Sequence, residues 1–115
     1  MNISWSEIKP YENELPTNYA DRIGRLYTDT VTAAFKKSNG QFFTPVSIAY
    51  FMGKQISVNK DSVSVLDPGC GTAILSCAMI ENLVLQSKVK QIELVTYETD
   101  ENLIPGLQKV LEYIT

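Results

Sequence analysis

With 115 residues, 44% of them hydrophobic, the chain has enough apolar material for the core of one small domain, which excludes a disordered tail. A formal charge of −3 and a pI near 4.9 leave no net positive field to draw in a phosphate backbone, so DNA binding by this segment alone is expected to be poor. The longest apolar runs, residues 73–80 and 83–85, are separated by Glu81 and Asn82 and are too short to span a bilayer.

Residues 1–18 contain Pro10, Pro16 and several polar side chains without a clear period, and read as a surface arm. The arm contains Trp5, Glu7, Glu12 and Glu14 and lacks the zones of a secretory signal, which points to the cytoplasm. Tyr19, Ile23, Leu26, Tyr27, Thr30, Val31 and Ala34 recur at helical spacing and predict an amphipathic helix stopped by Asn39-Gly40. After Gln41-Phe42-Phe43-Thr44-Pro45, a second helix is predicted to start just past the proline and to bury Ile48, Ala49, Met52 and Ile56. The polar stretch Asn59-Lys60-Asp61 closes it.

The period then changes. Val63, Val65 and Leu66 form a short β-branched run that enters Asp67-Pro68-Gly69-Cys70-Gly71, a strand leading into a tight glycine turn. A helix is predicted to open near Thr72 and to run through residues 73–86, apolar on most sides. Ile92, Leu94, Val95 and Tyr97 make a second strand, ended by Glu98-Thr99-Asp100. Leu103, Ile104, Leu107, Val110, Leu111 and Ile114 mark the apolar face of a last helix.

Strand, helix, strand, helix is the opening of a parallel α/β sheet, here preceded by two helices. The chain divides into the arm (1–18), a helical lead-in (19–57) and the first part of an α/β domain (58–115). Two parallel strands leave open edges and uncovered faces, whereas parallel sheets are normally buried on both sides. The domain is therefore expected to be truncated, and the isolated segment to self-associate through its open edge.

A glycine turn between a strand and a helix N-terminus lets backbone approach a ligand, although alone it could be a plain structural loop. The acid at the end of the next strand decides more. Glu98 is expected beside the turn, where a carboxylate can accept hydrogen bonds from both ribose hydroxyls of an adenosine ligand. The dinucleotide fingerprint wants a small residue where Ile74 stands, which disfavours NAD. No Gly-Lys-Ser/Thr follows the turn, which excludes a P-loop. Cys70 and Cys77, with no histidine in the chain, cannot complete a Cys/His zinc site and read as reduced thiols.

Val65-Leu66-Asp67-Pro68-Gly69-Cys70-Gly71-Thr72-Ala73 resembles the first S-adenosylmethionine motif of N6-adenine DNA methyltransferases. Gly40-Gln41-Phe42-Phe43-Thr44-Pro45 resembles the segment that precedes it in type I modification subunits and related type II enzymes of restriction–modification systems. Tyr97-Glu98-Thr99-Asp100 is similar to the family's second cofactor motif. The resemblance implies a partial Rossmann-like methyltransferase fold and an S-adenosylmethionine site made by Phe43, Thr44, Pro45, Asp67, Pro68, Gly69, Cys70, Gly71, Glu98, Thr99 and Asp100.

Carried over, it implies that Thr44 and its backbone hold the methionine carboxylate. Asp67, Gly69 and Gly71 line the methionyl part, with Asp67 facing its ammonium directly or through water. Glu98 takes the ribose, and Thr99 or Asp100 lies near the adenine. Ala73 stands where the family has glycine, and Thr99 where it has an aliphatic residue; both departures imply weaker binding. Each residue also has a plainer reading: Asp67 as a helix cap, Glu98 as a solvated strand end, Phe42 and Phe43 as packing, Cys70 as a small turn residue and Cys77 as core.

The family's Asn/Asp-Pro-Pro-Tyr/Phe segment, which holds a flipped-out adenine, does not occur in the 115 residues. Catalysis is thus expected of a parent protein, which would engage DNA and possible specificity or restriction subunits through other parts. Two rival readings are a non-catalytic protein-interaction module and a methyltransferase acting on RNA or protein. The segment ending in Thr44-Pro45 speaks against the latter.

Overall fold

The computed structural model describes residues 3–31, 43–86 and 88–115. Helix α1 spans Pro16–Thr28 and buries Thr17, Tyr19, Ala20, Ile23, Gly24 and Tyr27, one stripe at helical spacing. It starts three residues earlier than the apolar period predicts. Pro16, with its φ already set, occupies the first turn, and the backbone N–H of Thr17 donates to Glu81 Oε2 at 2.9 Å. This cap comes from another helix, so nothing adjacent in sequence announces it. Ala34, Asn39, Gly40, Gln41 and Phe42 lie outside the described residues.

The N-terminal residues, read from sequence as a stretch without an element, contain a short 3-10 turn at Trp5–Glu7 and lie against the core. Tyr19 donates its hydroxyl to the Ile8 carbonyl at 2.6 Å, and Arg22 donates to the Lys9 carbonyl at 2.8 Å. The Arg22 guanidinium also pairs with Glu14 at 2.8 Å and sits 3.9 Å from the Tyr11 ring centroid.

Helix α2, Val46–Gly53, begins just past Pro45 as predicted, but of its predicted buried face Ala49 alone is fully buried. Ala49 and Gly53 are buried, whereas Ile48 and Met52 remain 49% and 45% exposed and Ile56 falls beyond the helix. A Cβ on Gly53 would stand 3.0 Å from the Ala78 carbonyl group, so α2 meets its neighbour backbone to backbone. Small residues make that approach, and the large ones turn outward.

Strand β1, Ser62–Pro68, is followed by helix α3, Ile74–Val84, strand β2, Gln91–Tyr97, and helix α4, Ile104–Ile114. The strands pair in parallel with Ser62 opposite Gln91 and Pro68 opposite Tyr97. Val63, Val65, Ile92 and Leu94 are partly or wholly covered, while Ser62, Ser64, Gln91, Glu93, Leu66 and Tyr97 on the other face are exposed. The core lies among the helices: Tyr19, Ala20 and Ile23 of α1 meet Ile74, Cys77 and Ala78 of α3 and Leu107 and Val110 of α4. Trp5 packs over Gly106 of α4, where a Cβ would come within 3.0 Å of the indole. No helix among the described residues is long and apolar enough to cross a membrane.

Candidate functional site

β1 and β2 end side by side, and the backbone at their carboxyl ends is tied residue by residue. The ladder continues one step past the strands, where Cys70 N donates to the Tyr97 carbonyl at 2.9 Å. One residue further, Gly71 N donates to Glu98 Oε1 at 2.8 Å. The second Glu98 oxygen accepts from Asp100 N at 2.9 Å. Glu98 is therefore a half-buried carboxylate clamped between two turns, not a solvated strand end.

The first turn folds because residues 69, 71 and 73 alternate into the left-handed region, with φ of +64°, +59° and +67°. Glycine meets the first two at no steric cost. Ala73 does not, and an L-residue there costs about 1–2 kcal/mol. Its methyl is fully buried in the core, so this backbone strain lies beneath the turn. Above Gly69 there is open space, since a Cβ built there would meet nothing within 4 Å.

Asp67 is half-buried, and its Oδ2 accepts the hydroxyl of Ser76 in α3. It does not cap that helix, which has no side-chain cap hydrogen bond. Its other oxygen takes no hydrogen bond from the described residues. Cys70 is a thiol pushed up to about 11, first by burial and then by the Asp67 carboxylate beside it, so it stays protonated at neutral pH and is no nucleophile. Burial likewise pushes Cys77 up to about 12, as befits a core residue.

Phe43 brings the upstream segment to this turn. A Cβ on Gly71 would stand 3.0 and 3.1 Å from Phe43 Cε1 and Cδ1, and one on Gly24 of α1 would stand 3.4 Å from Cδ2. The ring is thus wedged between two glycines and packs on the core, which favours its packing reading. Thr44 and Pro45 follow at once. Pro45 is the N-cap residue of α2, its carbonyl accepting from Ala49 N at 3.0 Å.

Of the residues singled out in sequence, Phe43, Asp67, Cys70, Gly71, Glu98 and Asp100 thus come together around the strand ends. Pro68 and Gly69 complete the turn, and Thr99 is exposed on the second loop. Asp100 is more committed than expected: Oδ1 accepts from Asn102 N at 3.0 Å and Oδ2 from the Tyr27 hydroxyl. Sequence reasoning missed Ser76, Thr72 and Tyr27. A serine in an otherwise apolar helix was a visible signal for the first. The Thr72 hydroxyl donates to the Ala20 carbonyl at 2.9 Å, and neither that contact nor that of Tyr27 leaves a local trace.

Residues 19–105 match the N-6 DNA methylase family. The chain belongs to that family. It is 32% identical over 90 residues to the type II methyltransferase M.AccI of Acinetobacter calcoaceticus, an alignment covering 78% of this chain and 16% of that protein. It is 38% identical over 77 residues to the type II methyltransferase M.BsuBI of Bacillus subtilis, covering 66% of this chain and 15% of that protein. The matched part is therefore about a sixth of either relative's length. No solved structure matches the chain. In this N-6 DNA methylase chain the matched residues include Phe43, the glycine turn and Glu98, and the mixed α/β arrangement with two parallel strands is part of a Rossmann-like methyltransferase fold.

Proposed function

We propose that this chain forms the S-adenosylmethionine-binding part of a DNA adenine-N6 methyltransferase of a restriction–modification system. One observation carries the reading: the 2.8 Å hydrogen bond from Gly71 N to Glu98 Oε1, which joins glycine turn and acid at the carboxyl ends of two parallel strands. Open α/β sheets bind their ligands in the crevice at that edge. Family membership supports the same reading.

The residues fit the cofactor chemically. Each Glu98 oxygen accepts one backbone N–H and keeps a lone pair for a ribose hydroxyl. Asp67, held by Ser76 through one oxygen, offers the other to the ammonium of the methionyl part. The N-terminus of α3 and the backbone near Thr44 suit a carboxylate, and the open space over Gly69 lets the ligand reach main chain.

When bound, S-adenosylmethionine supplies an electrophilic methyl group. This chain's residues bind and orient it. Phe43, Thr44 and Pro45 roof the methionyl end, Glu98 fixes the ribose, and Thr99 flanks the adenine. Transfer to an adenine amine, DNA recognition and contacts with specificity or restriction subunits fall to other parts of the parent enzyme, which works in the cytoplasm; the chain alone is inactive.

Calorimetry on the parent protein tests this. Glu98→Ala is expected to cost at least about 1.5 kcal/mol of S-adenosylmethionine affinity, roughly tenfold. Equal affinities for wild type and variant remove Glu98 from the site and the reading with it.

A further inference from the structure

Helix α1 touches both loops of the candidate site. Near its start, the Ala20 carbonyl accepts the Thr72 hydroxyl at 2.9 Å and so holds the glycine turn. Two helical turns later, the Tyr27 hydroxyl donates to Asp100 Oδ2 and holds the second loop. Tyr27 is only 3% exposed, so its ring is fixed by packing and its hydroxyl has a set position. Asp100 passes the constraint on, because its own N–H donates to Glu98 Oε2 at 2.9 Å while Oδ1 accepts from Asn102 N at 3.0 Å.

We propose that Tyr27 is a positioning residue for ribose recognition: by pinning Asp100 to α1 it sets the orientation of the Glu98 carboxylate. This rests on the nucleoside reading of the site. Glu98 has two backbone donors, one from each loop, so its plane depends on how the loops stand relative to each other. A rigid helix bonded to both loops fixes that relation. Without the Tyr27 hydroxyl, Asp100 loses this bond to α1, and the loop has more freedom to turn Glu98 away from the ribose. Binding of the methionyl end, which depends on the other turn, is left alone.

The test compares adenosine with 2′,3′-dideoxyadenosine as probes of the parent protein, by calorimetry or competition. Wild type is expected to prefer adenosine by about tenfold or more, the scale of hydrogen bonds to a carboxylate. Tyr27→Phe keeps the ring and is expected to lower that preference at least about threefold, chiefly through adenosine. Adding it to Glu98→Gln is expected to change the preference no further, because it acts through Glu98. Asp100→Asn, reaching the same loop from the other side, is the second variant should Tyr27→Phe fold poorly, and is expected to lower the preference likewise.

An equal loss for both probes shows Tyr27 to be merely structural and overturns the proposal. So does an unchanged preference in both single variants. A wild type that binds neither probe, or both alike, overturns the nucleoside reading first and this proposal with it, which keeps the two failures distinguishable.

Discussion

Gly69 and Gly71 lie two residues apart in one turn at nearly the same φ, +64° and +59°, yet their surroundings differ. Alanine at either position must adopt a left-handed backbone, costing about 1–2 kcal/mol, less about 0.4–1 kcal/mol returned by a stiffer unfolded chain. At Gly69 the methyl enters open space and nothing is added. At Gly71 it arrives 3.0 and 3.1 Å from the Phe43 ring, whose other edge faces Gly24 and has little room to retreat. Overpacking of that kind costs about 1–3 kcal/mol more.

Gly69→Ala is therefore expected to destabilise by about 1 kcal/mol and Gly71→Ala by about 2–4 kcal/mol. Urea unfolding followed by fluorescence measures both, since the single tryptophan, Trp5, packs against the core. Phe43→Leu in the Gly71→Ala background should recover part of the difference, giving a coupling of about 1 kcal/mol in a double-mutant cycle. Equal losses at the two glycines, or strict additivity with Phe43→Leu, would show that the upstream segment does not lie against the turn.

The remaining expectations concern the supports of the site. Glu81 accepts from Thr17 N and the Thr17 hydroxyl through Oε2 and from the Tyr50 hydroxyl at 3.0 Å through Oε1, joining α1, α2 and α3. Glu81→Ala is expected to lower stability by about 1.5–3 kcal/mol, and a loss below about 0.5 kcal/mol in denaturant titration would refute that bracing role. Glu14 is held below the usual carboxylate range, chiefly by its hydrogen bonds from Arg22. Its contribution is present above the ordinary carboxylate pKa and is lost as pH falls through the lowered folded value. Glu14→Gln should thus be less stable than wild type at neutral pH and converge with it in acid; a gap that persists at low pH contradicts this.

How much of this was legible depended on whether the cause was local. The strands, the glycine turn and the acid after β2 announce themselves through β-branched runs, special φ and a change of period, and all are found where the sequence puts them. The face of α2 was misread in part: Ala49 is buried as expected, but hydrophobicity favours adding Ile48 and Met52, whereas close helix approach favours Gly53. In the structure the approach prevails. The start of α1 was misread because its cap, Glu81, lies 64 residues away in sequence. The commitment of Asp100 to Tyr27 escaped for the same reason, whereas that of Asp67 to Ser76 had a visible signal, a serine in an otherwise apolar helix.

These non-local contacts share a direction, and it bears on how the site is built. The paired strands contribute little core: one face is exposed, and the buried cluster is mostly helical. Two strands with an uncovered face cannot by themselves hold a turn to the precision that oriented binding requires. What they lack is supplied from α1, through Thr72 on one loop and Asp100 on the other, and from Phe43 pressed between Gly24 and Gly71. The recognisable motif residues are thus the ends of a frame whose rigid member lies outside the motifs, and in the proposed site those ends are the ones that face the ligand. On this argument, substitutions in α1 that spare its packing should alter ligand preference before they alter stability, the reverse of what is expected of an ordinary structural helix.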